Sequence, residues 1–106
     1  MLVKLNSESE FEKLLNSNKV VIADFSATWC GPCRMLKPIF EEVSSEIKDV
    51  AFVSVDVDDF GRIAATYNIR SVPTLIGFKD GKIIKISIGS LPKDSLVNFV
   101  NQIINA

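Results

Sequence analysis

Two runs of apolar residues limit the folds open to this chain more than any other feature of its sequence. Residues 20–25 (VVIADF) and residues 50–57 (VAFVSVDV) are nearly continuous in apolar side chains, which is typical of strands buried on both faces. Stretches with apolar residues at helical spacing come before, between and after them. Strands that alternate with helices in this way predict a sheet covered by helices.

The apolar spacing predicts four helices, each with a residue suited to a helix start. Ser7 and Glu10 have the spacing of a capping box, and Asp58 is a candidate N-cap. Pro32 and Pro92 suit a first turn because the missing N–H costs nothing there. The apolar residues of the four helices are Phe11, Leu14 and Leu15, then Leu36, Ile39, Phe40, Val43 and Ile47, then Phe60, Ile63, Ala64 and Tyr67, and finally Leu96, Phe99, Val100, Ile103 and Ile104.

A β-hairpin is predicted in the last third of the chain. Residues 74–78 and 82–88 are two apolar runs joined by a turn that contains Asp80-Gly81. The second run alternates apolar and polar residues, as a half-exposed edge strand does. Its alternating isoleucines are Ile84, Ile86 and Ile88. The whole pattern predicts one domain over residues 1–106, with a three-layer α/β fold and a mixed sheet.

Composition argues against several classes of function. The 12 basic and 13 acidic residues give a net charge of −1, so no basic surface is expected for nucleic acid or for a membrane. No apolar run approaches the roughly 20 residues of a membrane span. The first residues lack the apolar core of a signal peptide. If nothing precedes Met1, we expect a cytoplasmic, reducing setting, although a removed presequence stays open.

The only two cysteines, Cys30 and Cys33, lie between the first buried strand and the second helix, in the segment Trp-Cys-Gly-Pro-Cys. Thiols one helical turn apart can close and reopen a small disulfide. Exchange needs a thiolate, and the positive end of a helix favours one at Cys30. Cys33 is expected to be more buried and less ionised. We therefore assign Cys30 as the attacking nucleophile and Cys33 as the resolving thiol.

Two other interpretations of the cysteine pair compete with redox exchange. A zinc site usually needs four Cys or His ligands, and two cysteines without a histidine do not complete one within the chain. A cluster shared between two chains stays open. A static disulfide is disfavoured because a loop of four residues constrains the unfolded chain little. Redox exchange is the favoured function.

Two residues near the cysteines have candidate roles. Asp24 lies within a buried strand, where a carboxylate is costly unless it is protonated, paired or hydrated. Burial should raise its pKa towards neutrality and suit it as a general base or proton relay for Cys33. The alternative is an Asp24 that faces solvent at the end of the sheet. Trp29 is expected to be a partly exposed lid on the Cys30 sulfur.

The chain resembles the thioredoxin family over its whole length. The segments that carry the resemblance, in family order and spacing, are Asp24-Phe25, Trp29-Cys30-Gly31-Pro32-Cys33, Pro38, Asp56 to Asp58, Tyr67-Asn68-Ile69-Arg70-Ser71-Val72-Pro73-Thr74, Phe78-Lys79-Asp80-Gly81 and Gly89. The resemblance implies a thioredoxin-like α/β/α fold with about five strands, four helices and a cis peptide before Pro73. It also implies that Gly31 and Pro32 contribute to the site. The implied substrate-docking rim consists of Trp29, Val57, Val72, Pro73, Ile88 and Gly89.

The resemblance also implies an activity and its partners. Such a protein is a protein-disulfide reductase that acts on disulfide-containing proteins and holds no cofactor or metal. A thioredoxin reductase restores its dithiol, and we expect an NADPH-linked flavoprotein in that role. We also expect the chain to be a monomer. Two alternatives are a disulfide oxidant or isomerase, and a non-catalytic binding module of a larger assembly.

The sequence departs from the best-known bacterial pattern at two positions. Ser26 replaces an aromatic residue that often follows the Asp-Phe pair. Ser54 stands where many bacterial members have a lysine near the buried aspartate. Without that cation Asp24 loses one stabiliser of its charged form, so we expect these serines to affect its pKa.

Overall fold

The computed structural model describes residues 1–106 and contains a five-stranded mixed sheet with helices on both faces. The strands are β1 (Leu2–Val3), β2 (Val20–Ser26), β3 (Ala51–Asp56), β4 (Thr74–Lys79) and β5 (Lys82–Ile88). The helices are α1 (Ser9–Ser17), α2 (Gly31–Glu46), α3 (Gly61–Thr66) and α4 (Lys93–Ile104). The predicted fold class is thereby confirmed.

The sheet order is β1-β3-β2-β4-β5, with β1, β3 and β2 parallel and the hairpin strands antiparallel. The sheet therefore places β2 at its centre, buried on both faces as its apolar run predicts. Alternate residues of β2 belong to two cores: Ile22 packs with α2 and α4, whereas Phe25 packs with α1 and α3. By this alternation Asp24 lies on the same face as Ile22, under α2.

Two predicted helix starts are wrong. Helix α1 begins at Ser9, and the Ser7 hydroxyl contacts the Ser9 hydroxyl at 3.1 Å instead of capping the helix. The Glu10 carboxylate accepts from the Asn6 N–H, so the reciprocal bonds of a capping box do not form.

Asp58 is not the N-cap of α3, which begins at Gly61. The preceding turn is held instead by Asp56, whose Oδ1 accepts from the backbone N–H groups of Asp58 and Asp59 at 2.8 and 3.1 Å. The Asp56 side chain therefore closes a local turn with the backbone, and this turn forms where the spacing predicted a helix cap at Asp58. It leaves the Asp58 side chain free for another partner.

Other features refine the predicted elements. Pro38 lies inside α2, which continues through it. Strand β1 has two residues, too few for an alternating pattern to mark it, and the Phe52 N–H donates to the Met1 carbonyl beside it. Strand β5 is an edge strand, as predicted, but its isoleucines are exposed. None of the four helices is long and apolar enough to cross a bilayer.

Candidate functional site

A disulfide joins Cys30 to Cys33 at the start of α2, with their Cα atoms 5.3 Å apart. Cys30 has extended backbone and is the residue just before the helix, and Pro32 lies in the first turn. Proline is compatible with this position because no helical carbonyl needs its N–H. Strand β2 and the loop after it thus place the Cys30 sulfur at the start of α2. The first turn of the helix places the Cys33 sulfur next to it.

The helix start supplies hydrogen-bond donors to Cys30. The Cys33 backbone N–H donates to Cys30 Sγ at 3.2 Å, and the Arg34 N–H donates to the Cys30 carbonyl at 3.2 Å. After reduction, the first of these N–H groups and the positive end of the helix stabilise negative charge on the Cys30 sulfur. The geometry therefore favours the thiolate at Cys30 that the sequence predicted.

The two cysteines differ in surroundings but not in burial. Each is 5% exposed, so the expectation that Cys33 is the more buried residue is wrong. Cys30 Sγ lies 3.7 Å from the Val72 carbonyl oxygen, under the segment that precedes β4. Cys33 instead lines a solvent-open cleft between the sheet and α2. The two sulfurs are thus approached from different sides.

Asp24 lies in the same cleft and is 3% exposed, so the alternative in which it faces solvent is wrong. Its Oδ1 atom has no hydrogen-bond partner. Burial raises the pKa of Asp24 to about 7, because a buried carboxyl group resists ionisation. At neutral pH a group with this pKa can both accept and release a proton, as a relay for Cys33 must.

Polar side chains surround Asp24 without a countercharge in contact. In the pairing of β2 with β3, Asp24 lies opposite Ser54, and Ser26 lies opposite Asp56. All four line the cleft, with Lys37 of α2 also along its wall. The raised pKa of Asp24 is due to burial alone, so Lys37 does not compensate for the missing lysine at position 54. Ser54 thus leaves this carboxyl group without the countercharge that a lysine at that position would supply.

Trp29 is 67% exposed beside the disulfide, and its indole is held in place. Its Nε1 donates to Asp58 Oδ2 at 3.0 Å. The Arg34 guanidinium donates to the Thr28 carbonyl at 3.0 and 3.3 Å, which fixes the preceding residue. Neither anchor follows from the sequence: the spacing favours Asp58 as a helix cap, and no spacing rule links Arg34 to Thr28. The only feature of the sequence that indicates a role for Asp58 is the run of acidic residues at the end of β3.

The remaining predicted site residues surround the disulfide. The Val72–Pro73 peptide is cis, as the resemblance implied, and the Gly89 N–H donates to the Pro73 carbonyl at 2.8 Å. Val57 and Val72 pack against the cluster of Ala27, Cys30 and Cys33. Gly31, Pro32 and Ile88 are exposed, whereas Gly89 is half-buried and Pro73 is buried. Their roles in docking stay predictions.

The arrangement suits sulfur exchange better than metal binding. Both thiols are consumed by the disulfide, and no group of three or more His, Cys, Asp or Glu side chains is placed to hold a metal ion. Chemically, the site can open to a dithiol, attack a foreign disulfide through Cys30 and close again through Cys33.

Comparison with known proteins identifies the family to which these features belong. The family model described as Thioredoxin matches residues 2–102. A thioredoxin of Mycoplasmoides gallisepticum is 50% identical over 92 residues, which are 87% of this chain and 92% of the relative. A thioredoxin of Bacillus subtilis is 44% identical over 87 residues, 81% of this chain and 84% of the relative.

Solved structures give the same result. A mutant thioredoxin of Halobacterium salinarum is 35% identical, covers 94% of this chain and 88% of its own, and superposes with a TM-score of 0.87. The thioredoxin of Plasmodium falciparum is 32% identical, with coverage of 93% and 96% and a TM-score of 0.87. The likeness therefore extends over sequence, fold and nearly the full length of the chain.

Proposed function

The chain belongs to the thioredoxin family, and we propose that its Cys30–Cys33 pair works in the reducing direction, as a protein-disulfide reductase. Membership makes it a protein-disulfide oxidoreductase that acts by dithiol–disulfide exchange. The N–H of Cys33 directed at Cys30 Sγ supports Cys30 as the attacking thiolate of the exchange. The observation that carries the reducing direction is the Gly31-Pro32 pair between the cysteines, which resembles that of reductases.

The cycle begins with the dithiol form. The Cys30 thiolate attacks one sulfur of a substrate disulfide, the other substrate sulfur leaves as a thiolate, and a mixed disulfide forms. Cys33 then gives its proton to Asp24, directly or through water in the shared cleft, and attacks Cys30 Sγ. The second substrate sulfur leaves, the Cys30–Cys33 disulfide closes, and two electrons have passed to the substrate.

A separate reductase must reopen the disulfide. We propose an NADPH-linked flavoprotein of the thioredoxin reductase type, and a cytoplasmic role as an electron carrier. The reductive direction supports this setting, since a reductase works where thiols are kept reduced. We also propose that the chain acts as a monomer, since both cysteines of the exchange pair lie in one chain.

Two alternatives make different predictions. A disulfide oxidant or isomerase would have a reduction potential near the oxidising end of the family range. A binding module would keep its cellular role after both cysteines are replaced by serine. The Gly31-Pro32 pair between the cysteines resembles that of reductases and favours the proposal over the first alternative.

The test is insulin-disulfide reduction with NADPH and a purified flavoprotein reductase, together with the equilibrium potential of Cys30–Cys33 in a glutathione redox buffer. We expect catalytic turnover and a potential near the reducing end of the family, about −270 mV. A Cys30→Ser/Cys33→Ser variant is the matched control and should show no turnover. A potential close to the roughly −120 mV of a strong oxidant would overturn the proposal.

A further inference from the structure

One face of strand β5 has no helix over it. Ile83, Ile86 and Ile88 pair with Phe78, Ile76 and Thr74 of β4, and cross-strand partners lie on the same face of a sheet. Ile76 and Phe78 belong to the core beneath α1 and α3. The three isoleucines, here called the β5 stripe, therefore lie on the face that carries α1 and α3.

The β5 stripe is exposed because these two helices do not reach it. Two helices, each about 10 Å wide, cover about four strands spaced by about 4.8 Å. The strand left over is β5, at the edge beyond β4. Ile83, Ile86 and Ile88 are 45%, 49% and 71% exposed.

On the opposite face of β5, helix α4 approaches the sheet. There Lys85 pairs with Gly77, which lies directly under Ile103 of α4. The Lys85 amine donates to Gln102 Oε1 of the same helix. The three isoleucines of the stripe therefore do not contact α4. Because they also belong to neither core, they are available to form an interface.

The stripe is continuous with the disulfide site. Its near end, Ile88, pairs with Thr74, the residue after Pro73. The next residue, Gly89, donates its N–H to the Pro73 carbonyl, and the Val72 carbonyl is 3.7 Å from Cys30 Sγ. From Ile88 the stripe runs away from the disulfide to Ile83, whose partner Phe78 lies four residues beyond Thr74 on β4, so the stripe spans about 14 Å at about 3.4 Å per residue. A protein whose disulfide reaches Cys30 therefore lies next to Ile88, the near end of the β5 stripe.

We propose that the β5 stripe binds an apolar, extended segment of the substrate protein that flanks its reactive cysteine. This rests on the proposed function, since the occupant is the protein whose disulfide is reduced. A segment of about five or six residues spans the stripe, and its alternate side chains can match the strand repeat of Ile88 and Ile86. Substrates with apolar residues next to the cysteine should therefore react faster than those with polar residues.

The test uses two cysteine peptides, each activated as a mixed disulfide with thionitrobenzoate, whose release is followed by absorbance. Six residues on each side of the cysteine alternate with Val or Ile in the apolar probe and with Ser in the polar probe. The chain is reduced chemically, freed of reductant and mixed with each probe in single turnover. We expect the parent to react about tenfold faster with the apolar probe.

The Ile83→Thr/Ile86→Thr variant should lose this preference while reacting with the polar probe at the parent's rate. Threonine keeps the β-branched shape that strands favour, so the sheet should persist. Lys85→Thr is the matched control on the opposite face of the same strand and should keep the preference. The polar-probe rate shows in each case that the site is intact.

A parent without preference, or a double variant that keeps it, overturns the proposal. So does a parent that is dimeric at the assay concentration and becomes monomeric in the double variant, because the stripe is then a contact between copies. The assay needs neither a flavoprotein nor a measured potential. A failure of the proposed reductive direction would appear in the insulin test and leave the probe preference unchanged, so the two failures are distinguishable.

Discussion

Cys33 has one task in the exchange cycle, and removing it should stop the cycle at a defined point. In Cys33→Ser, Cys30 still attacks a substrate, but no thiol resolves the mixed disulfide. We expect substrate proteins to co-purify with this variant as adducts that a reducing agent releases, visible on non-reducing gels. Cys30→Ser is the control and should form none. Adducts that depend on Cys33 instead would reverse the assignment of the two roles.

Asp24 should make stability depend on pH. Below a pH of about 4 both the folded and the unfolded chain hold its proton, and burial carries no ionic penalty. Between that pH and the folded pKa of about 7, the unfolded chain ionises first, so the free energy of unfolding falls and then levels off. The total loss is on the order of 4 kcal/mol.

Asp24→Asn should remove most of this dependence, because an amide does not ionise. The variant should be more stable than the parent at neutral pH, and its resolving step should be slowed because the proton relay is lost. Urea titrations of both proteins from pH 4 to pH 8 measure the first effect, and stopped-flow release of substrate thiol measures the second.

Ser54→Lys gives a contrast: a cation opposite Asp24 should lower the pKa of Asp24 and flatten the pH dependence of stability without slowing the resolving step. Equal slopes in parent and Asp24→Asn would mean that Asp24 is hydrated.

The elements of the fold were predictable where they bury a continuous apolar face. Strands β2 and β3 and helices α2 and α4 follow from such faces, and so does the position of Cys30 at a helix start. Local polar groups were less predictable, because several partners compete for each donor. The Asp56 carboxylate accepts from the N–H groups of Asp58 and Asp59, and the Asp58 carboxylate accepts from the Trp29 indole instead of capping α3. The alternating pattern predicted a half-exposed edge strand at β5, but the exposure of its isoleucines depends on how far two helices reach across the sheet, which no local pattern encodes.

The contact between β4 and α4 depends on a residue without a side chain. A Cβ placed on Gly77 would lie well inside van der Waals contact with the Ile103 side chain, which is fully buried and has no room to move. We expect Gly77→Ala to destabilise the fold by about 1–3 kcal/mol through overpacking. Chemical denaturation of Gly77→Ala, Ile103→Ala and the double variant measures it, because Ile103→Ala removes both the Cγ1 and the Cδ1 atoms that the new Cβ would meet. In the double variant part of the loss should be recovered, and strict additivity would show that the two residues are not in conflict.

The whole molecule determines whether the cysteine pair gives or takes electrons. Folding and reduction form one thermodynamic cycle, so a fold that is more stable when oxidised also holds its disulfide more tightly than the unfolded chain does. Such a protein is a reductant, whereas a fold more stable when reduced is an oxidant. The free energies of unfolding of the oxidised and reduced forms therefore report the direction of function without any substrate.

We expect the oxidised form to be more stable. Closing a loop of four residues removes entropy from the unfolded chain equivalent to about 2 kcal/mol, and stabilisation of the Cys30 thiolate by the Cys33 N–H offsets part of it. A net difference of about 1.4 kcal/mol lowers the potential by about 30 mV relative to the unfolded chain. Urea titrations with and without excess dithiothreitol measure the difference in free energy of unfolding between the two forms. The control is Cys30→Ser/Cys33→Ser, whose stability should not depend on the reductant. If the reduced form is the more stable, stabilisation of the reduced site exceeds the contribution of loop closure. The chain is then an oxidant and not a reductase.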